Sequence, residues 1–559
     1  MAASLARAGT LVRRQLSLSH KHFDNRTVMA LPHSQPGSAQ RGLPSVPMSC
    51  EAAPARWSAA LMVERLWALY RAPLAFAAFF GLVWTLVSGM LDPTVPYDAV
   101  EALNWARNAE WGTPKNPWLT GFAFWPALAL SGPAQSFYWY ASHFVAVGIG
   151  LLGVWQLALR LTFRRDLAWL AMLSLNVSGV LNIDILPYND NYLLVMLWPW
   201  MLYLLVRATF DTPVAWPRFA VVAGLAAMTK YSTFALIGTI LLLMLISTKV
   251  RSRCRGPWFA LGVAIFLVMV VPNAWWLAQH DFAAFRWVGD QIDEGLNLRG
   301  LKAAICAFYP VAVLALVLRL CGFRLRWPAS PEARSPLRLL VQVLLLPLVP
   351  ILAYFTMFEG GRVTEWLQPF VVPAPALLVA CVGRTAHARD IFLRRAITGF
   401  ASVAALVVVG YAVFLGANVK NAGQKFLGLK TLSTVLEQRW QDRYGAPLRY
   451  VGGHPLSHWL TFYVPGNPRL LVAWSNATRP NIYTHDIGEA SVWREGVLLV
   501  GAPDVRCADS DFTPLLKRWP SLKLDVTEDL LFSFHEGAGQ EQRRLCVALV
   551  APTERPVAE

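Results

Sequence analysis

A series of apolar stretches through the middle of the chain limits its fold more than any other feature. They stand at about 73–91, 138–159, 167–183, 191–206, 217–229, 232–248, 258–278, 301–318, 338–357, 367–383 and 397–416. Most approach the roughly 20 residues that an α-helix needs to cross a bilayer. Lipid offers the backbone no hydrogen-bond partners, so such segments are predicted to be helices, about eleven in all. Two are short, and 217–229 reads as a half-helix or re-entrant segment. Composition agrees: 55% of the 559 residues are hydrophobic and 15% charged, against about a quarter charged in soluble domains. A soluble enzyme, a disordered protein and a disulfide scaffold are excluded. Seven cysteines without close pairing exclude a zinc ribbon.

The net charge of +16 is not a nucleic-acid footprint. Residues 1–56 carry seven Lys and Arg against two acids, 417–559 carry sixteen against fifteen, and 57–416 carry twenty-seven against seventeen. The excess therefore lies in the hydrophobic part, as positive cytoplasmic loops require. One alternate set of loops holds clusters such as Arg160, Arg164 and Arg165, then Lys249, Arg251, Arg253 and Arg255, then Arg384, Arg389, Arg394 and Arg395. The other set holds only Arg107, Lys115, Lys230, Arg286, Arg299 and Arg362. This asymmetry predicts a cytoplasmic N-terminus and an extracytoplasmic C-terminus.

Three regions follow. Residues 1–56 read as a disordered tail: either an Arg- and Ser-rich transit peptide, or a dispensable or over-long start with Met48 or Met62 as the true beginning. Residues 57–416 form the membrane bundle. Residues 417–559 are predicted to be a small extracytoplasmic α/β domain, with a helix over Leu432–Tyr444 and buried strands at 448–452, 469–474, 496–501 and 544–550. No phosphate-binding glycine loop occurs in it. Cys507 and Cys546 are its only cysteines, and are either a disulfide or two small core residues.

Ionisable residues gather in the loops assigned to the outer face. The first, 92–137, holds Asp98, Glu101 and Glu110 among Trp and Pro; the second contains Asp190; later ones contain His280, Asp293, Glu294, Glu359 and Glu365. Acids collected at one face suggest a site that opens there, whereas ordinary solvated loops would make no mutual contact. Asp98 and Glu101 also have the spacing of a capping box. A carboxylate just outside a bundle can take a proton from an acceptor hydroxyl, or hold a divalent metal. The Trp- and Pro-rich segment 111–119 suits a bilayer surface.

These residues carry a family resemblance. Tyr97-Asp98-Ala-Val-Glu101, then Trp111-Gly and Asn116-Pro-Trp-Leu119, resemble the first outer loop of family 39-type GT-C glycosyltransferases. That family includes dolichyl-phosphate-mannose-protein mannosyltransferases and lipid A aminoarabinose transferases. Further matches follow in order: Pro187-Tyr-Asn-Asp190, Gly224 through Lys230-Tyr231, Pro272-Asn-Ala through Gln279-His280, and Glu365-Trp-Leu-Gln-Pro369. Two departures stand out. Ala99 follows the Asp where Glu is usual, and Asn116-Pro117-Trp118 replaces a His-Pro-Pro turn. Glu101 then either supplies the missing acid or caps a helix.

The resemblance implies a GT-C bundle that moves a sugar from a polyprenyl-phosphate donor to a glycolipid, glycan or protein acceptor at the outer face of a membrane, by direct displacement. It implies a bacterial inner-membrane protein, in contact with lipid and not with nucleic acid. No cofactor is certain from it, and a divalent metal is possible at the acids. Asp98 and Glu101 are the expected catalytic pair. Asp190 would hold the sugar or orient Asp98, unless it is a solvated helix cap. Lys230 would meet the donor phosphate, unless it is a snorkelling helix-end lysine. His280, Arg286 and Arg362 are further candidates to bind phosphate or sugar; their plainer readings are a structural histidine and loop cations. Alternatives to a transferase are a transporter or flippase, and a non-catalytic assembly subunit.

Overall fold

The computed structural model describes residues 59–92, 94–177, 179–182, 190–290, 292–360, 363–416, 428–471, 484, 486–520, 522–533 and 542–553. The chain divides into two units, Met1–Phe76 and Ala77–Glu559. Of the first, the described residues 59–76 are helical, the start of helix Ala59–Leu91. The expected tail 1–56 lies outside the described residues.

Every apolar run named above carries helix, but not every helix is long enough to span. Among the described residues six are: Ala68–Leu91, Pro133–Thr162, Asn191–Asp211, Pro257–Gln279, Pro331–Met357 and Asp390–Phe414. Leu298–Cys306 and Tyr309–Leu320, bent by 41°, make a seventh if taken as one. Of the eleven expected spans, two of them read as short, only six or seven are thus long enough among the described residues. The run at 167–183 breaks into helix Arg165–Ser174 and two short 3-10 turns. Helices Ala215–Ala227, Thr233–Ile246 and Trp366–Ala380 are short. At 1.5 Å per residue, the 13 residues of Ala215–Ala227 reach about 20 Å, two-thirds of a hydrocarbon core.

The long helices at the centre owe their closeness to small residues. Gly150 of Pro133–Thr162 lies so near helix Asn191–Val206 that a Cβ there would stand 2.3 Å from the Val195 carbonyl oxygen. Gly153 meets Pro199 and Trp200 of the same helix. Such close backbone approach, with dispersion contacts in place of hydrophobic drive, is how helices associate in lipid. Leu406, Val409 and Val413 of the last long helix remain exposed, as a lipid-facing side requires.

The C-terminal region contains a five-stranded sheet. In spatial order its strands are Arg469–Leu471, Tyr450–Gly453, Val497–Val500, Arg543–Val550 and Val526–Phe532. The first three run parallel and the last two pair antiparallel. Helix Leu429–Tyr444 buries Leu432, Leu436 and Trp440. The four strands read from the sequence are present. Val526–Phe532 is an addition, because its alternating exposed residues, Thr527, Asp529 and Leu531, conceal it from a search for buried runs. Cys507 and Cys546 form a disulfide with their Cα atoms 4.7 Å apart.

Two of the acidic loops also meet. Ile292–Glu294 pairs antiparallel with Phe358–Gly360, which places Asp293 opposite Glu359 in register. Independent solvated loops would not do this.

Candidate active site

The site is built on helix Tyr97–Asn108. Pro96 fixes the chain at its N-cap position with φ −66°. Ala109, at φ 47°, ends it in the left-handed region and donates to the Trp105 carbonyl. Ala99, Val100, Leu103, Trp105 and Ala106 are buried. Asp98 is 7% exposed, in the first turn, where the N-terminal end of the helix favours negative charge. The N-cap residue is Pro96 and no side chain caps the helix. Asp98 and Glu101 therefore do not form the capping box that their spacing allows.

The chain then turns back on itself. Gly112 and Pro117 form an isolated bridge, and inside it Thr113 Oγ1 donates to the Asn116 carbonyl at 2.8 Å and accepts from the Asn116 N–H at 2.7 Å. This tight turn returns Lys115 to the helix. Its Nζ lies 3.2 Å from Glu101 Oε2 and 3.8 Å from Asp98 Oδ2, and also sits 5.5 Å from the Trp287 ring.

The turn is seated against the bundle. Leu119 N–H donates to the Met228 carbonyl, and Asn273 Nδ2 to the Trp111 carbonyl. Trp276 Nε1 donates to Glu110 Oε2 at 2.6 Å. Gly112 is obligatory here, because a Cβ would stand 2.2 Å from Trp276 Cε3.

A second ion pair completes the cluster. Asp190, 2% exposed at the start of helix Asn191–Val206, accepts from Lys230 Nζ at 2.8 Å. Burial alone would raise its pKa; the ammonium groups of Lys230 and then Lys115 outweigh burial and hold it below the usual carboxylate value. Asn191 accepts from Lys230 at 3.1 Å and donates to Gln368 at 2.6 Å. Lys230 occupies the break between the short helices Ala215–Ala227 and Thr233–Ile246. Neither Asp190 nor Lys230 is a solvated helix-end residue.

The acids and lysines thus interleave: Asp98 and Glu101, Lys115, Asp190, Lys230. The sequence reading named four of these five and counted Lys115 only as a loop cation. Its signal was the Thr113-Pro-Lys-Asn-Pro117 turn, two prolines around one cation. His280 and Arg286 lie in a neighbouring network. The His280 ring stacks on Trp276 with centroids 4.1 Å apart, its Nδ1 lies 2.8 Å from the Trp276 carbonyl, and Arg286 donates to the His280 carbonyl. Helix Ala283–Gly289 reaches the acid cluster through Trp287. Arg362 and residues 187–189 of the second motif lie outside the described residues.

Among the described residues no group of three or more His, Cys, Asp or Glu is arranged to hold a metal. An ammonium group already stands between the two carboxylates, so this donor set does not fit a divalent cation.

Bundle, short helices and C-terminal sheet together have the GT-C fold of membrane glycosyltransferases. The structure of ArnT from Cupriavidus metallidurans bound to undecaprenyl phosphate superposes with a TM-score of 0.56 over 86% of this chain and 98% of that one, at 15% identity. The family model described as dolichyl-phosphate-mannose-protein mannosyltransferase matches residues 115–276, a segment that includes Lys115, Asp190 and Lys230. Two curated proteins of Rhizobium johnstonii are similar. Lipopolysaccharide core galacturonosyltransferase RgtA is 23% identical over 38% of this chain and 44% of its own length. The corresponding RgtB is 28% identical over 37% and 42%. The chain thus aligns with less than half the length of either relative.

Proposed function

We propose that this chain is a membrane glycosyltransferase that moves a sugar from a polyprenyl-phosphate donor to an acceptor hydroxyl at the extracytoplasmic face of a bacterial inner membrane. The observation that carries the proposal is the interleaving of Asp98, Glu101 and Asp190 with Lys115 and Lys230. A lipid-linked donor brings its reacting carbon to the membrane surface, and its leaving group is a phosphate that needs cations. Lys115 is held by carboxylates until that phosphate arrives. The phosphate then competes for the ammonium group and releases Asp98 oxygens toward the acceptor.

Asp98 takes the acceptor proton as the oxygen attacks the anomeric carbon. The bond from that carbon to the phosphate oxygen breaks, and the phosphate leaves with the electron pair. It needs no general acid. Glu101 keeps Lys115 near the leaving group, and Asp190 orients Lys230. The similarity to lipopolysaccharide core transferases favours a glycolipid of the outer envelope as acceptor, with a hexosyl or pentosyl group transferred. The loop-charge asymmetry supports an N-terminus inside and the sheet region outside.

The test uses purified protein in liposomes, supplied with undecaprenyl phosphate carrying galacturonate, mannose or aminoarabinose, and with lipopolysaccharide core glycolipid. Mass spectrometry should find one glycosylated product, and NMR of that product should show inverted anomeric configuration. Retained configuration would reject the single displacement. No consumption of any donor would reject the activity.

A further inference from the structure

The helix that bears the acids is held from behind by a segment far along the chain. Trp459 Nε1 donates to the Val95 carbonyl at 3.0 Å, while Tyr463 Oη accepts from the Val95 N–H at 2.8 Å. His458 Nδ1 lies 2.8 Å from Tyr97 Oη, with the two rings 5.3 Å apart. Midway along the helix Asn104 donates to Thr461 Oγ1 at 3.0 Å. At its far end Arg107 donates to the Pro468 carbonyl and Arg469 to Asn108. One stretch of twelve residues, 458–469, therefore contacts helix Tyr97–Asn108 from its first turn to its last.

The first turn most needs this support. It carries Asp98, yet Pro96 gives it no side-chain cap, and its one local closure is the Ala99 N–H on the Pro96 carbonyl at 3.0 Å. Tyr97 precedes Asp98 and stands one turn before Glu101. Fixing its side chain fixes the rotation of both carboxylates about the helix axis. Packing alone would be served by two apolar side chains. A buried hydroxyl facing an imidazole is costly unless paired, so the pair accepts one geometry.

We propose that the Tyr97–His458 hydrogen bond is a positioning contact, through which the C-terminal α/β region sets the geometry of Asp98 and Glu101 for transfer. Both are positioning residues that act through the acids. The kinetic part rests on the function proposed above; the structural part does not.

The experiment compares Tyr97→Phe, His458→Ala, His458→Asn and the double variant Tyr97→Phe/His458→Ala in the full chain in liposomes, with undecaprenyl-phosphate galacturonate as the first donor probe. Tyr97→Phe keeps the ring and removes only the hydroxyl. It should lower kcat about tenfold, as slight misplacement of a reacting group does, and leave the donor KM within about twofold. His458→Ala should match it. His458→Asn, which can put a polar atom where Nδ1 was, should restore most of the rate. The double variant should be no worse than either single one. Hydrogen exchange of the peptide covering 97–108 should quicken in Tyr97→Phe and His458→Ala. A wild-type kcat in Tyr97→Phe, multiplying defects in the double variant, or His458→Asn as poor as His458→Ala would overturn the proposal. If the wild type consumes no donor, the proposed activity fails and exchange alone decides: faster exchange supports the positioning contact, and unchanged exchange rejects it.

Discussion

Asp98→Asn is the most direct test at the scale of a single residue. The amide keeps the size of the carboxylate but takes no proton, so transfer should fall at least ~10²-fold while the protein stays folded. Lys115→Gln should raise the donor KM and lower kcat together, because the phosphate loses a cation on binding and on leaving. Both are read from initial rates over a range of donor concentration. Acid should act on His458 first. Burial, and then the neighbouring His454, push its pKa down to about 3, against roughly 6.5 when unfolded. The folded state thus prefers neutral imidazole. Its contribution is complete above about pH 6.5 and is lost as pH falls toward 3. Burial lowers His454 in the same direction. Asp190, depressed in the fold, gives way only below the ordinary carboxylate range near pH 4. The protection factors over 97–108, which divide out the intrinsic pH dependence of amide exchange, should accordingly fall between pH 7 and 4, and fall less in His458→Asn. Asp98, Asp190 and Lys230 could be found in the sequence because an ionisable group beside a hydrophobic run demands a reason. Lys115 had only the prolines on either side of it as a signal, and His458 had none. Each looks like an ordinary loop residue until a turn or a distant segment brings it to the helix.

At the scale of elements, two glycines carry the argument. Gly112→Ala puts a methyl into the Trp276 ring, an overpacking that costs about 1–3 kcal/mol. The turn should shift rather than the bundle unfold, so transfer should drop more than thermal stability does. Gly150→Val should act differently. Its side chain meets backbone at Val195, which cannot move aside, so the two central helices should separate and the yield of folded protein should collapse in size-exclusion profiles. Hydrophobicity located helix in each apolar run, but only six or seven of the eleven are long enough to span among the described residues. It overstated their lengths. The run at 167–183 breaks after Ser174 into short 3-10 turns, and the runs at 217–229 and 232–248 are separated by the polar Thr229, Lys230 and Ser232. Strand Val526–Phe532 escaped for the opposite reason: with one face exposed, it alternates instead of running apolar.

At the scale of the whole molecule, the disulfide and the docked helix bear on each other. Cys507 and Cys546 are 39 residues apart, and closing a loop of that size stabilises by about 3–4 kcal/mol in the chain-entropy account. Cys507→Ala/Cys546→Ala should lower the thermal midpoint of the sheet region and leave the helices in place by circular dichroism. A thiol count on native protein should gain two on reduction. Tyr97 and His458 are separated by 361 residues, which at roughly 5–20 residues per second is on the order of 20–70 s of translation. For all of that interval the acid helix is already made and threaded, with its first turn unsupported. A nascent chain therefore carries its carboxylates before the segment that holds their helix exists. On the proposed function, competence would arrive only with the last fifth of the polypeptide, which carries His458. A ribosome that stops early leaves an inserted but idle bundle in the membrane.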